Sequence, residues 1–251
     1  MAGGDDKRKD IHSAGIPVLC RACEARHKGV CGALTEDQLV RLSRSTTRKA
    51  VSKETPLTSA GEDVTQFSNI LGGVVKLSKL LPDGRQQIVG LQFAPDFIGR
   101  PFSEQSDLTT EAATTLRICS FPKSALEKMI EEAPDLEHRL HNQALRELDE
   151  ARDWLLSLGR RSAREKLASF LCLIADHIDP EGSEDTNGIH SAQFELPLKR
   201  TDIADFLGLT PETVSRRLTE MRKEGLVEVT QNRYIRIPDI DALRDATSSD
   251  G

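Results

Sequence analysis

Cys20, Cys23 and Cys31 stand at the spacing C-x2-C-x7-C near the start of a 251-residue chain, and Cys119 lies far downstream. Four thiolates can hold an iron-sulfur cluster, with the distant fourth ligand tying an N-terminal arm to a folded domain. The local set Cys20, Cys23, His27 and Cys31 also reads as C-x2-C-x3-H-x3-C, a complete tetrahedral set for zinc. The residues alone leave both metals open, since either ligand list suits its metal. Cys172, set among Phe170, Leu171, Leu173 and Ile174, is expected in the core. Five cysteines are an odd number in a chain too large to depend on disulfides, so metal chemistry or redox sensing is the better reading of their spacing.

A second constellation begins at Leu198, in LKRTDIADFLGLTPETVSRRLTEMRKEGLVEVTQNRYIRI. Thr201 is expected to cap a helix carrying Ile203, Ala204 and Leu207; Gly208 supplies a turn; Thr210 and Pro211 open a second helix through Lys223. Gly225 stops that helix, and Leu226 to Val229 and Tyr234 to Ile237 make a hairpin around Gln231-Asn232, so the helix-turn-helix is winged. Glu212, Ser215 and Arg216 share the N-terminal face of the second helix. In a major groove, Glu accepts from a cytosine amine and Arg is bidentate to guanine, while Thr213, Arg217, Arg222 and Lys223 are placed to touch phosphates. An internal ion pair between Glu212 and Arg216 is the bland alternative.

The elements that must position these residues follow from the rest of the chain. Lys and Arg number 34 against 40 Asp and Glu, a net charge of -6, with 37% apolar and 29% charged residues. That composition describes an ordinary globular protein of two domains. No run approaches the ~18 apolar residues of a spanning helix. MAGGDDKRKDIH does not read as a secretory signal, so a cytoplasmic location is expected, with no membrane partner. Charge is uneven: residues 101–150 hold eleven carboxylates against five bases, whereas 199–236 hold eight bases against six carboxylates. A basic face near the C-terminus is therefore expected.

Residues 1–31 read as an irregular cysteine-bearing arm and 32–122 as a sensory β-roll domain. Within it, Val75 and Leu77, then Val89, Leu91 and Phe93, alternate on either side of Asp83-Gly84 as a hairpin of a small antiparallel roll. Residues 123–160 read as a helical region, with a short helix from Lys123 to Glu132 and a long one from Pro134 to about Leu158. In the long helix Ala144, Leu148, Ala151, Leu155 and Leu158 alternate by four and three, the spacing of a dimer seam or of one face packed on its own domain. Residues 161–251 form the winged helix-turn-helix domain, opening with an amphipathic helix from about Ala163 to Ile178, and Ser183 to Ser191 read as a loop. The fold class is thus α+β.

Together the cysteine arm, the roll with DGRQQIVGLQFAPDFIG, the long helix and LGLTPETVSRRL resemble the CRP/FNR transcription regulators, and within them the FNR-type oxygen sensors. The resemblance covers nearly the whole chain. It implies a cyclic-nucleotide-binding-like roll and a [4Fe-4S] cluster on Cys20, Cys23, Cys31 and Cys119. It also implies base readout of a TTGAT-like palindrome by Glu212, Ser215 and Arg216, a homodimer active at low oxygen, control of anaerobic genes, and contact with RNA polymerase. Two departures stand out. The C-x7-C interval is longer than in the enteric-type sensors. Ala151 replaces an acidic residue of some members, so readier dimerisation without the cluster is expected.

Three other readings share part of this pattern. A cyclic-nucleotide-gated regulator needs an arginine that SEQSDLTTEAATTL lacks, so no cyclic nucleotide is expected. A cupin-type enzyme needs histidines inside the roll, and none falls between His27 and His138, so no enzyme is expected. A zinc-stapled or thiol-redox regulator of the same fold remains the alternative.

Overall fold

The computed structural model describes residues 16–21, 23–184 and 188–248. Helical turns α1 (Val18–Arg21) and α2 (Glu24–His27) and a 3-10 turn at Val30–Ala33 come first, with Cys20 in α1, Cys23 between α1 and α2, and Cys31 in the 3-10 turn. The arm is thus not irregular where it is described. Its turns close because the chain is pinned from outside: Val30 and Leu34 enter an apolar cluster with Phe67, Phe97, Phe121 and Leu136. Helix α3 (Glu36–Ser43) follows, unanticipated but locally encoded. The Thr35 hydroxyl accepts from the Gln38 amide at 3.4 Å, and Gln38 Oε1 accepts from the Thr35 amide at 2.9 Å, a reciprocal capping box.

The roll uses β1 (Thr47–Val51), β2 (Pro56–Thr58), β3 (Gln66–Gly72), β4 (Val74–Leu80), β5 (Gln86–Phe93), β6 (Phe97–Ile98), β7 (Thr109–Ala112) and β8 (Leu116–Pro122). They make two antiparallel sheets, ordered β1-β8-β3-β6 and β2-β7-β4-β5. Val51, Ile70, Val75, Ile98, Ala112, Leu116 and Ile118 form a core from both sheets. The β4–β5 hairpin forms around Asp83-Gly84 as expected, with one correction. The register slips between Leu77 and Ser78, which pair with Gly90 and Ile88. Val89 is the extra residue of that bulge, so Ile88 turns inward while Val89 stays exposed.

Helices α4 (Lys123–Glu132), α5 (Pro134–Arg160) and α6 (Ala163–Ile178) run where the apolar spacing predicts them. Ser162 and Glu165 cap α6 reciprocally. The stretch read as a loop instead contributes β9 (Ser183–Glu184) and the start of β10 (His190–Glu195), with 185–187 outside the described residues. Ala192, Phe194 and Leu196 point inward at period two, a strand signal hidden by the polar residues before it. Helices α7 (Arg200–Leu207) and α8 (Pro211–Lys223), strands β11 (Glu228–Thr230) and β12 (Tyr234–Ile237) and helix α9 (Ile240–Asp245) complete the chain. The wing sheet is ordered β11-β12-β10-β9. Cys172 is buried in this domain's core, as expected. Among the described residues no helix is long and apolar enough to cross a membrane.

Candidate DNA interface and cysteine site

Helix α8 is set by its own sequence. Gly208 takes the left-handed conformation at φ 62 and ends α7, as expected. Thr210 Oγ1 accepts from the Thr213 amide at 3.2 Å, and Pro211 occupies the first turn. By contrast, Thr201 does not cap α7: the cap is Lys199, two residues earlier, the helix starts at Arg200, and Thr201 falls in its first turn. Val214, Leu218 and Met221 bury one face of α8, leaving Glu212, Ser215 and Arg216 exposed on the other. Among the described residues Glu212 and Arg216 make no ion pair with each other. Glu212's own backbone amide, with help from the Thr210 hydroxyl, holds its carboxyl below the usual range, so it is an ionised acceptor at neutral pH. Arg222 and Lys223 are exposed in the last turn, where the helix dipole favours cations. Arg217 is instead paired with Glu220 at 2.6 Å, and the Thr213 hydroxyl sits 3.1 Å from that of Thr210.

The cysteines come together from distant segments. Cys119 lies in β8, an interior strand, and on the register Arg48 of β1 and Asn69 of β3 are its direct cross-strand partners. Side chains so paired share one face of the sheet. The arm packs on that face: Cys31 and Cys119 interact electrostatically, and each also feels Cys20 and Cys23. Asn69 Nδ2 donates to Cys31 Sγ at 3.2 Å. Burial, added to by the neighbouring thiols, pushes Cys31 up to about 12. Burial likewise raises Cys119, against an opposing hydrogen bond from Arg48, and raises Cys20. The four thiols are therefore neighbours that a bound metal would have to deprotonate. His27, the non-sulfur member of the zinc set, is exposed. Among the described residues no three His, Cys, Asp or Glu side chains are gathered closely enough to hold a single ion. As a donor set, four half-buried sulfurs with nearby N–H donors fit an iron-sulfur group.

The cysteine turn touches the long helix. A Cβ on Gly32 would lie 2.5 Å from Arg139 Nη1 of α5 and 2.7 Å from the Arg26 carbonyl, so only glycine lets the turn sit so close. Farther along α5 the predicted seam is open. Ala144 and Ala151 are exposed, as are Leu148 at 45% and Leu155 at 70%, with Leu158 half-buried. Beside it runs a groove of about 740 Å³ bounded by the roll and by Ala144, Leu148, Ala151 and Trp154. Trp154 meets Phe206 of α7 edge-on at 4.5 Å, so the same helix touches the DNA-binding domain. The roll grips that domain as well: Lys76 Nζ lies 2.9 Å from Glu111 and 3.4 Å from Asp202 of α7. Sequence reading missed Lys76, Asn69 and Arg48. A lysine and an asparagine within apolar strands were the available signal.

A smaller cavity of about 90 Å³ lies where the roll faces α5, lined in part by Gln92, Arg100, Asp107 and Glu147. Its single arginine, Arg100, is paired with Asp107 at 3.0 Å, and the Glu147 carboxylate opposes a phosphate there.

An antiparallel roll, a long helix with an apolar face and a winged helix-turn-helix define a DNA-binding regulator rather than an enzyme. Residues 48–133 match the cyclic nucleotide-binding domain model, and 165–246 the Crp-like helix-turn-helix domain model. A protein of Rhizobium leguminosarum bv. viciae described as a probable transcriptional activator is 51% identical over 95% of this chain and 97% of its own. The transcriptional activator protein FnrL of Cereibacter sphaeroides is 33% identical over 94% and 95%. The structure of FixK2 from Bradyrhizobium japonicum superposes with a TM-score of 0.70 at 29% identity, covering 82% of this chain and 99% of that one. The chain belongs to the CRP/FNR family of transcription regulators, which bind DNA and typically act as dimers.

Proposed function

We propose that this chain is a cytoplasmic, oxygen-responsive transcriptional activator in which Cys20, Cys23, Cys31 and Cys119 hold a [4Fe-4S] cluster. The observation that carries this reading is the presence of Cys119, 88 positions beyond Cys31 in the sequence, beside the three arm cysteines. Zinc on the local set would leave Cys119 unused. A bound cluster supplies an oxygen-labile cross-link between the arm and β8.

The protein's own residues do the rest. With Cys31 held, the Val30–Ala33 turn stays pressed on α5 at Arg139. The seam Ala144, Leu148, Ala151, Leu155 and Leu158 then meets that of a second copy, and Trp154 carries the position of α5 to α7 through Phe206. In the homodimer two copies of α8 stand about one DNA turn apart, ~34 Å, on a TTGAT-like palindrome. Glu212 accepts from a base amine, Arg216 donates to guanine, and Ser215 lies between them. Loss of the cysteine ligation releases the arm and depopulates this arrangement. An activator acts on RNA polymerase, which is the protein partner this reading implies, with anaerobic genes as targets.

The test is fluorescence anisotropy with a duplex carrying two TTGAT-like half-sites, titrated without oxygen and again after exposure to air. At least about tenfold weaker binding after air is expected, a shift of roughly 1.4 kcal/mol. Equal affinity in both states would overturn the oxygen response.

A further inference from the structure

Four residues line up across the sheet as one ladder row: Arg48 of β1, Cys119 of β8, Asn69 of β3 and Phe97 of β6. Phe97 is apolar and belongs to the cluster beneath the arm. Asn69 is the anomaly. It is 1% exposed, between buried Ser68 and buried Ile70, and among the described residues its Oδ1 is buried with no hydrogen-bond partner. Half an amide left unsatisfied destabilises a fold, and an aliphatic residue of similar size would avoid that cost. The other half of the amide, Nδ2, points at Cys31 Sγ at 3.2 Å. On the opposite side of Cys119, Arg48 hydrogen-bonds the Cys119 sulfur and also acts on Cys20 by its charge. The two donors thus reach the arm's last cysteine and the roll's only one, the pair whose joint ligation fastens the arm to the sheet.

We propose that Asn69 and Arg48 are positioning residues that direct N–H donors at the Cys31 and Cys119 sulfurs and thereby slow oxidative loss of the cluster. This rests on the four-cysteine reading above. N–H donors stabilise negative charge on ligand sulfur, and hydrogen bonds to sulfur are one of the levers that set an iron-sulfur potential. Oxidation passes an electron from the cluster to dioxygen and so removes charge that the donors stabilise. Without them the electron leaves more easily, and the thiolates bind more loosely at the points that anchor the arm. Arg48, being charged, has the larger effect.

The experiment compares full-length wild type with Asn69→Leu, Arg48→Met and Arg48→Lys, reconstituted with iron and sulfide without oxygen. The control is Ser68→Ala, which disturbs the buried Ser68–Ser120 hydroxyl pair of the same strands without touching a sulfur. Readouts are iron and sulfide content, the reduction potential, the rate at which visible absorbance bleaches in air-saturated buffer, and the thermal midpoint of the metal-free protein. Asn69→Leu and Arg48→Met are expected to load the cluster, to bleach at least about tenfold faster, Arg48→Met the more so, and to show a lower potential, in line with removal of outer-shell partners of metal ligands. Arg48→Lys and Ser68→Ala stay near wild type, and the metal-free Asn69→Leu protein unfolds no earlier than wild type. Bleaching within twofold of wild type in both donor-deleted variants, or equal acceleration in Ser68→Ala, would overturn the inference while leaving the cluster in place. Wild type that takes up no iron and no sulfide would instead overturn the four-cysteine reading, and the inference with it.

Discussion

Helix α8 carries Glu212, Ser215 and Arg216 within one and a half turns, on a helix whose cap, first turn and buried face all come from residues 210–221. The cysteine site takes its sulfurs from a helical turn (Cys20), the link between two helical turns (Cys23), a 3-10 turn (Cys31) and an interior strand (Cys119), and its nearest donors from two further strands. The first is prearranged by local structure and needs only a fold to stand on. The second exists only when arm, β1, β3 and β8 are all docked. A site of the first kind suits constant recognition of one ligand. A site of the second kind suits a signal, because breaking one ligation undoes the docking of a whole segment.

The largest break in this comparison is Cys119→Ser. It removes the one thiol that the roll supplies to the proposed ligand set, and cluster content, read as iron and sulfide per chain, is expected to fall to near zero. DNA affinity without oxygen drops to the level of air-exposed wild type. Arg216→Ala is the converse. Loss of a bidentate guanine contact costs about 1–3 kcal/mol per half-site, so anisotropy should show binding weakened at least about tenfold while iron and sulfide stay at wild-type values. A variant that lost both properties would dissolve the distinction between the two sites.

Ala151→Asp tests the link between them. Two like charges brought together across an apolar seam are strongly unfavourable, and sedimentation should show the dimer at least about tenfold weaker. The same experiment tests whether Ala151 lets the cluster-free wild type dimerise at micromolar concentration. A cluster-free wild type that is monomeric there would contradict that expectation.

The contrast also decides what could be read from sequence. The recognition helix was legible because each determinant, Gly208, Thr210, Pro211 and the apolar positions Val214, Leu218 and Met221, lies within a few residues of the next. Helices α4 to α6 were legible for the same reason. Helix α3 was missed although Thr35 and Gln38 announce it, and β10 was missed because Ser183 to Ser191 dilutes its alternation. The bulge that exposes Val89 depends on pairing with Leu77 and Ser78, which periodicity within one strand does not contain. The cysteine spacing named candidate ligands, but their neighbourhood could not be read. Arg48, Asn69 and Cys119 are adjacent only through the β1-β8-β3 order of the sheet.

A smaller effect sharpens the picture of how the roll holds the DNA-binding domain. Burial pulls the Lys76 ammonium down, but its hydrogen bond to Glu111 and the charge of Asp202 more than offset this and raise its pKa above 10.5. Because the folded value exceeds the unfolded one, the contribution of this triad is intact below about pH 10.5 and is lost as pH rises through the folded value. Lys76→Met leaves two partly buried carboxylates facing each other, and denaturant titration at pH 7 should show a loss of about 1–2 kcal/mol. That loss should shrink above pH 10.5. The smallest effect is expected from Thr210→Ala, about 1 kcal/mol of stability from the lost cap of α8.

Whether the four cysteines hold one iron-sulfur cluster, as proposed, is decided by elemental analysis. Protein purified without oxygen is assayed for iron, zinc and acid-labile sulfide, and its visible spectrum is followed as air is admitted. About four irons and four sulfides per chain are expected, with a brown absorbance that bleaches. One zinc and no sulfide would contradict the proposal, returning the ligands to Cys20, Cys23, His27 and Cys31 and leaving Cys119 without a part in sensing.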